Sequence, residues 1–299
     1  MDDSSVRIAC VQYQLKDINS FEDFASKIRT QVGTAASQQA DFVLFPEFFS
    51  VQLLSTLGDL PDRQGIQSIA QEFTTPFTEL FASLASEHGL HIIAGSHPVE
   101  EGGKILNKSF LFGPDGKYLA QPKLHITPFE HNDWSIVGGN ELLVLKTPKA
   151  NIGVQICYDV EFPAATQLLA DEGIDILFVP YCTDDRQGML RVRYCCQARA
   201  VEHQIYVATA GLVGALPDIE SMNAHDAQSA VFTPSDQGFP TDGIAATANS
   251  NIETIVFADL DMNLLRSVRE QGTVTPRKDQ RRDLMHVTTE TGLRVVRRP

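Results

Sequence analysis

The sequence lacks long apolar runs, and nowhere do about 18 or more apolar residues follow one another, the minimum for a membrane-spanning helix. The first residues, 1–5, are acidic and lead at once into the short apolar segment 6–11. A secretory signal needs a basic start and a longer apolar stretch, so this segment is instead predicted to be a buried strand. We therefore expect a cytoplasmic protein without a membrane partner.

Cysteine is also scarce, and its spacing is irregular. An odd number of cysteines without a CxxC pair argues against a disulfide framework and against a zinc site. We therefore expect free thiols, no metal and no cofactor. The cysteines are Cys10, Cys157, Cys182, Cys195 and Cys196.

Basic residues are few: 24 Lys and Arg oppose 38 Asp and Glu, which gives a formal net charge of −14. Phosphate binding relies on basic surface, so a nucleic-acid partner is not expected. The exception is the segment 276–299, where basic residues outnumber acidic ones. We predict one domain over 1–275 and a C-terminal tail over 276–299, which docks on that domain or on a partner subunit. A solvated terminus is the alternative.

No Pro/Gly/Ser-rich linker divides the chain, and strand-like runs alternate with helix-like segments. This alternation is typical of an α/β protein. Strands are predicted at 6–13, 41–46, 90–96, 107–113, 142–145, 152–157, 174–181, 205–211, 228–233 and 253–259. Helices are predicted at 22–39, 65–88, 161–172 and 187–203.

A weak internal repeat links the two halves of the chain. The segment 41–46, DFVLFP, resembles 175–180, DILFVP, and similar helix-end and strand segments follow each of them. Two similar α/β layers packed sheet against sheet, a four-layer αββα sandwich, would explain the repeat, although buried strands also match by chance. The repeat places Glu47 and Tyr181 at equivalent strand ends, where α/β proteins bind ligands.

Cys157 ends an apolar run, and polar residues with Pro163 follow it. This order is typical of a strand-to-helix turn, which exposes a nucleophile and aims backbone N–H groups at developing negative charge. A helix N-terminus also lowers the pKa of a thiol, so an enriched thiolate is expected. A small buried hydrophobic residue is the alternative interpretation of this cysteine.

Two further residue types suit the same chemistry. Glu47 follows an aromatic and aliphatic run, and burial there would raise its pKa toward that of a useful general base. Lys123 would stabilise a thiolate or an oxyanion if it lay nearby. Glu130, seven residues further on, could hold that lysine or position a substrate amine. Read alone, each of the three is an ordinary strand-end or surface residue.

Together these motifs resemble the nitrilase, or carbon–nitrogen hydrolase, superfamily over nearly the whole chain. The matching segments are Pro46-Glu47, Lys123-Leu124-His125, the run GVQICYDVEFP at 153–163, and QARAVE at 197–202.

The resemblance implies an α/β fold of the four-layer αββα type and hydrolysis of an amide, a carbamoyl amide or a nitrile of a small molecule. Glu47 would be the general base and Cys157 the nucleophile that forms a thioester. Lys123 and the backbone N–H of Tyr158 would bind the oxyanion, and Glu130 would support the lysine. The resemblance also implies a homodimer or a larger homo-oligomer.

Three questions stay open at this point. The loop 181–187 is charged, which favours Tyr181 and Arg186 as substrate contacts and a substrate with a carboxylate, unless this loop is only a solvated helix start. A Cys–His pair of Cys157 with His125 is a competing mechanism. A catalytically silent protein that binds a metabolite is the competing class of function.

Overall fold

The computed structural model describes residues 4–58, 60–289 and 292–298, so the prediction about the acidic start at residues 1–3 lies outside the described residues. The strands are β1 (Ser5–Leu15), β2 (Phe42–Leu44), β3 (His91–Ile93), β4 (His97–Glu101), β5 (Lys104–Phe112), β6 (Tyr118–Pro122), β7 (Ile136–Val137), β8 (Glu141–Lys146), β9 (Asn151–Val154), β10 (Ile176–Tyr181), β11 (Tyr206–Gly214), β12 (Ala230–Phe232), β13 (Ile244–Thr247), β14 (Thr254–Asp261) and β15 (Arg294–Arg298). The α-helices are α1 (Phe21–Ser37), α2 (Asp62–Ser68), α3 (Thr74–His88), α4 (Pro128–Asn132), α5 (Pro163–Asp171), α6 (Arg186–His203) and α7 (Met262–Gln271).

The strands form two sheets with the same central pairing pattern. In the first sheet the order is β14-β1-β2-β3-β5, and in the second it is β8-β9-β10-β11-β12. In each sheet the three central strands are parallel and the two outer strands run antiparallel to them. The repeat between 41–46 and 175–180 falls on β2 and β10, which occupy the same position in the two sheets. The sheets meet along one short parallel contact between β1 and β11.

Side chains on β1 alternate between two apolar clusters, as expected for a strand covered on both faces. Ile8 and Cys10 face the space between the sheets, where the rings of Phe42 and Phe178 have centroids 5.6 Å apart. Ala9 faces the opposite cluster, which contains buried side chains of α1 and α3. Helices α5 and α6 pack on the second sheet. The layers are therefore helix, sheet, sheet and helix, and the predicted four-layer αββα sandwich is confirmed.

The predicted strands all overlap observed ones, but the long predicted helix 65–88 is wrong as a single element. It consists of α2, a π-helical segment Ile69–Phe73, and α3. Gly89 ends α3 in the left-handed conformation, with φ 66°, as expected for a glycine after a helix. The sequence patterns missed β4, β6, β7, β13, β15, α4 and α7.

The basic C-terminal segment contacts the body of its own chain. Strand β15 pairs in parallel with β8, and Arg282 forms an ion pair with Asp171 of α5. The division into a domain at 1–275 and a tail at 276–299 stays a prediction. Across the described ranges, no helix has the length and apolar character needed to cross a membrane.

Candidate active site

Glu47 lies just beyond β2, where the chain leaves the first sheet. The backbone of Phe48 is left-handed, with φ 54°, and its N–H donates to Ser96 Oγ at 3.2 Å. Gly95 makes room for this turn, because a Cβ at that position would lie 1.8 Å from the carbonyl oxygen of Pro46. These contacts hold the Glu47 side chain in the interior, where it is buried.

Lys123 follows β6 directly and extends its ammonium group to Glu47. Its N–H donates to the carbonyl of Asn107, and its carbonyl accepts from the N–H of Gly139, both at 2.8 Å. Its Nζ lies 2.8 Å from Glu47 Oε1 and 2.7 Å from Glu130 Oε2. The lysine is buried, so its charge is balanced by these two carboxylates and not by water.

Glu130 lies in the first turn of α4, where Thr127 is the N-cap. The Glu130 N–H donates to Thr127 Oγ1 at 3.2 Å, and Glu130 Oε2 accepts from the Thr127 N–H at 3.0 Å. Asn107 joins the two glutamates, since its Nδ2 donates to Glu47 Oε1 at 2.9 Å and to Glu130 Oε1 at 3.1 Å. Sequence reasoning missed Asn107, because a single asparagine in an apolar strand has no motif around it.

Cys157 begins a 3₁₀ helix, Cys157–Glu161, between β9 and α5. Its φ of 48° is unusual for a residue with a side chain, and such strain is found at functional turns. Its Sγ lies 3.7 Å from the carbonyl oxygen of Cys182, and the Cys182 N–H donates to Glu47 Oε2 at 3.0 Å. The end of β10 therefore contacts both the thiol and the carboxylate.

Asp159 connects the segment after Lys123 to the turn at Cys157. Its carboxylate accepts from the backbone N–H groups of Leu124 and Ile156, and from both the backbone and the ring of His125. The His125 ring is 2.9 Å from Asp159 through Nδ1, and it stacks on Phe162 with centroids 3.7 Å apart. These contacts show no pairing of His125 with the Cys157 thiol.

The charges of the site follow from its burial. Burial raises the pKa of Glu47 to about 7, although Lys123 opposes the shift. Burial disfavours the charge on Lys123, but the carboxylates of Glu130 and Glu47 together raise its pKa well above the usual value. Burial also raises the pKa of the Cys157 thiol, and the charge of Glu47 adds to this. The expected lowering of the thiol pKa is therefore wrong, because desolvation and the charge of Glu47 outweigh the influence of Lys123.

Cys157, Glu47, Lys123 and Glu130 all line one open cavity of about 220 Å³. Tyr158, whose ring contacts Phe162 edge-on, lines it as well. The structure therefore brings together the residues of three separate sequence motifs. A small molecule could enter this space and meet a thiol, a carboxylate with a pKa near neutrality, and an ammonium group.

Tyr181 and Arg186 are not among the residues that line this cavity. Tyr181 turns into the core between the sheets, where its hydroxyl accepts from the Gln228 N–H at 2.9 Å. Arg186 is the exposed first residue of α6. On α6 the cavity is lined by Gly188 and Arg191, which are three residues apart and therefore share a helix face. Arg186 is two residues before Gly188 and so lies on a different face. The structure therefore brings neither residue to the cavity wall, and their contact with a substrate stays a prediction.

Within the described parts of the chain, no group of three or more His, Cys, Asp or Glu side chains is arranged to hold a metal ion.

The chain matches the family profile described as carbon-nitrogen hydrolase over residues 7–270. It is 48% identical over 282 residues to the probable hydrolase YhcX of Bacillus subtilis, covering 94% of this chain and 55% of that protein. It is 30% identical to omega-amidase NIT2 of mouse, covering 96% of this chain and 99% of that one. Among solved structures, Saccharomyces cerevisiae Nit3, a member of the nitrilase superfamily, superposes with a TM-score of 0.74 at 23% identity, covering 93% of this chain and 97% of that one.

The fold and the extent of these matches define an enzyme of the hydrolase class. The chain belongs to the carbon–nitrogen hydrolase family. It spans about half the length of the Bacillus subtilis relative.

Proposed function

We propose that the protein is an amidase that hydrolyses a small-molecule amide through a thioester on Cys157. The observation that carries the proposal is the contact set around Glu47. One oxygen of this carboxylate is 2.8 Å from Lys123 Nζ, and the other accepts from Cys182, whose carbonyl lies 3.7 Å from the Cys157 thiol. A base, a cation and a nucleophile thus share one cavity.

Acylation begins with a neutral thiol, because burial raises the pKa of Cys157. Glu47 accepts the thiol proton while Sγ attacks the amide carbon, and an oxyanion forms on the former carbonyl oxygen. Lys123 Nζ and the backbone N–H of Tyr158 stabilise that oxyanion. When the carbon–nitrogen bond breaks, Glu47 returns the proton to the leaving ammonia or amine, and a thioester remains.

Deacylation uses the same groups with water as the nucleophile. Glu47 takes a proton from water, the hydroxide adds to the thioester carbon, and the carbon–sulfur bond breaks. The thiolate of Cys157 regains the proton from Glu47, and the carboxylic acid leaves. Throughout, Glu130 holds Lys123 in place and Asn107 holds Glu47 in place, each through a direct hydrogen bond.

Amide substrates are favoured over nitriles by the comparisons. The mouse relative, which matches this chain over nearly its whole length, is an omega-amidase by name. The activity and the partners of the longer Bacillus subtilis protein are a separate question, because this chain covers only 55% of it.

The test is an ammonia-release assay with simple aliphatic amides, ω-amides, N-carbamoyl amino acids and matched nitriles. We expect ammonia release from at least one amide class. In Cys157→Ala the rate of release should fall by about three orders of magnitude or more, as is usual when a nucleophile is removed. Iodoacetamide labelling, mapped by mass spectrometry, should modify Cys157 before the fully buried Cys10.

Cys10→Ala is the matched control, because that thiol lies in the core between the sheets and does not line the cavity. Turnover retained in Cys157→Ala would refute the mechanism. Release from nitriles alone would assign nitrile hydrolysis instead. No release from any substrate, together with binding of amides, would favour a catalytically silent protein.

A further inference from the structure

The walls of the active-site cavity are acidic. Of the described residues that line it, five are acidic and two are basic. Glu47 and Glu130 account for two of the acids, and both pair with the ammonium group of Lys123. Of the remaining acids, Glu161 ends the 3₁₀ helix Cys157–Glu161. The other two, Asp184 and Asp185, lie with Arg191 at the start of α6.

Most of these outer charges already have partners. Glu161 Oε1 lies 3.6 Å from Arg191 Nε. Asp185 is the N-cap of α6, and its Oδ1 accepts from the Gly188 N–H at 2.7 Å. Asp184 alone in this set has no hydrogen-bond or ion-pair partner within the ranges that the structure describes. A carboxylate at the rim therefore remains free to bind a ligand.

Aromatic rings form another part of the cavity wall. Phe48, Phe129 and Trp134 line it, and the indole contacts both phenyl rings edge-on, with centroids 5.0 and 5.1 Å apart. Aromatic faces attract ammonium and guanidinium groups and do not attract carboxylates. Burial also raises the pKa of Asp184, so a ligand cation near it would offset the cost of desolvating its charge. The charge of the nearby His225 would lower the pKa of Asp184, but burial lowers the pKa of His225 itself and so disfavours that charge.

We infer that the cavity takes amides that also carry an amine or another cationic group, and that Asp184 is the residue that selects for this charge. The inference rests on the proposed amidase function and names its substrate class. A carboxylate-bearing amide fits less well, because the basic group at the rim, Arg191, faces Glu161. The acidic wall would repel such a substrate and attract a cation.

The experiment compares three series of linear primary amides that differ only at the far end, which carries an ammonium, a methyl or a carboxylate group. We expect kcat/KM to be about tenfold higher for the best ammonium amide than for its methyl counterpart, the usual size of one charge-assisted contact. Asp184→Asn should reduce that ratio to about one, and Asp184→Lys should favour the carboxylate series. Glu87→Gln, which removes one exposed charge on α3 outside the cavity, should leave the ratio unchanged.

Binding measurements separate this inference from the proposed function. Calorimetry with Cys157→Ala gives affinities for the same amides without turnover, and we expect the ammonium series to bind about tenfold more tightly than the methyl series. If ammonium amides bind preferentially but wild type releases no ammonia, the amidase proposal fails and the cation site stands. Equal affinities for all three series, or preference for the carboxylate series, would overturn the cation site.

Discussion

The Glu47 carboxylate contacts Lys123, Asn107 and the backbone of Cys182, and burial raises its pKa to about 7. As the proposed base, it must be unprotonated to take the proton of the Cys157 thiol. Below its pKa the protonated form dominates, so kcat/KM should fall about tenfold for each pH unit below about 7. The measurement is the pH profile of kcat/KM, which reports groups of the free enzyme.

Glu47→Gln should abolish the activity, since the side-chain amide of glutamine cannot accept the thiol proton. It should also abolish the fall of kcat/KM at low pH, which is the acid limb of the profile. Residual turnover, if measurable, should be independent of pH between about 5 and 7. Glu253→Gln is a suitable control, because Glu253 pairs with Lys27 at a position outside the active-site cavity. An acid limb that survives in Glu47→Gln would assign the base to another group.

Asn107 has a role that can be tested through the same profile. Its Nδ2 donates to the charged form of Glu47, and a hydrogen bond to a carboxylate lowers its pKa. Asn107→Ala should therefore raise the pKa of Glu47 and move the acid limb upward by about one pH unit, in addition to reducing kcat. The exposed Asn140→Ala should leave the limb unmoved. A lower kcat with an unshifted limb would mean that Asn107 only supports the structure.

Sequence motifs predicted Glu47, Lys123, Glu130 and Cys157, and the structure places these four side chains around one cavity. Their roles stay predictions until they are tested. Residues without a motif, such as Asn107, could not be found, because only the pairing of β5 with its neighbours brings it to the two glutamates. The expected thiol pKa had the wrong direction because burial depends on the whole fold.

Among the elements, the turns after β6 and β9 depend on one another through Asp159. Its carboxylate accepts hydrogen bonds from backbone groups of both turns, at Leu124, His125 and Ile156. Asp159→Ala should lower the free energy of unfolding by about 3 kcal/mol, because several N–H groups lose their acceptor. It should also reduce kcat by about a hundredfold, since Lys123 and Cys157 lose their common support.

Denaturant unfolding monitored by circular dichroism gives the stability, and ammonia release gives kcat. Asp242→Ala is the matched control, because Asp242 accepts a single backbone N–H, that of Ile244, in an exposed turn. It should change stability less and leave kcat as in wild type. If Asp159→Ala retained wild-type kcat, the connection between the two turns would not matter for catalysis.

Sequence patterns found most of the longer helices and most of the buried strands. Buried strands such as β10 read as continuous apolar runs, and α6 has enough length for a helical pattern. Strand β13 is short and alternates between half-buried and exposed residues, so its pattern is weak. Strand β15 is stabilised by its pairing with β8 and by two ion pairs, Arg294 with Glu141 and Arg297 with Glu172. A local sequence pattern cannot show such long-range contacts.

For the whole molecule, the repeat of the two sheets explains where the site lies. Strands β2 and β10 hold equivalent positions, and the residues that follow them, Glu47 and Cys182, are hydrogen-bonded to each other. Glu47 therefore comes from the first half of the chain, while Cys157 comes from the second. The active site depends on the packing of both sheets, so a fragment that contains only one sheet would lack it.

The outer face of α6 favours the homodimer that the family resemblance implies, and we propose it as the interface. Tyr194 and Val201 are seven residues apart, on one helix face, and are 61% and 45% exposed. Large apolar side chains exposed together mark a surface that another protein covers.

Analytical ultracentrifugation should show a dimer for wild type and a monomer for the double variant Tyr194→Glu with Val201→Glu, because the two introduced charges would be buried in the interface without partners. Ile252→Glu, at an equally exposed site away from α6, should stay dimeric. A monomeric wild type, or a dimer unaffected by the double variant, would rule out this interface.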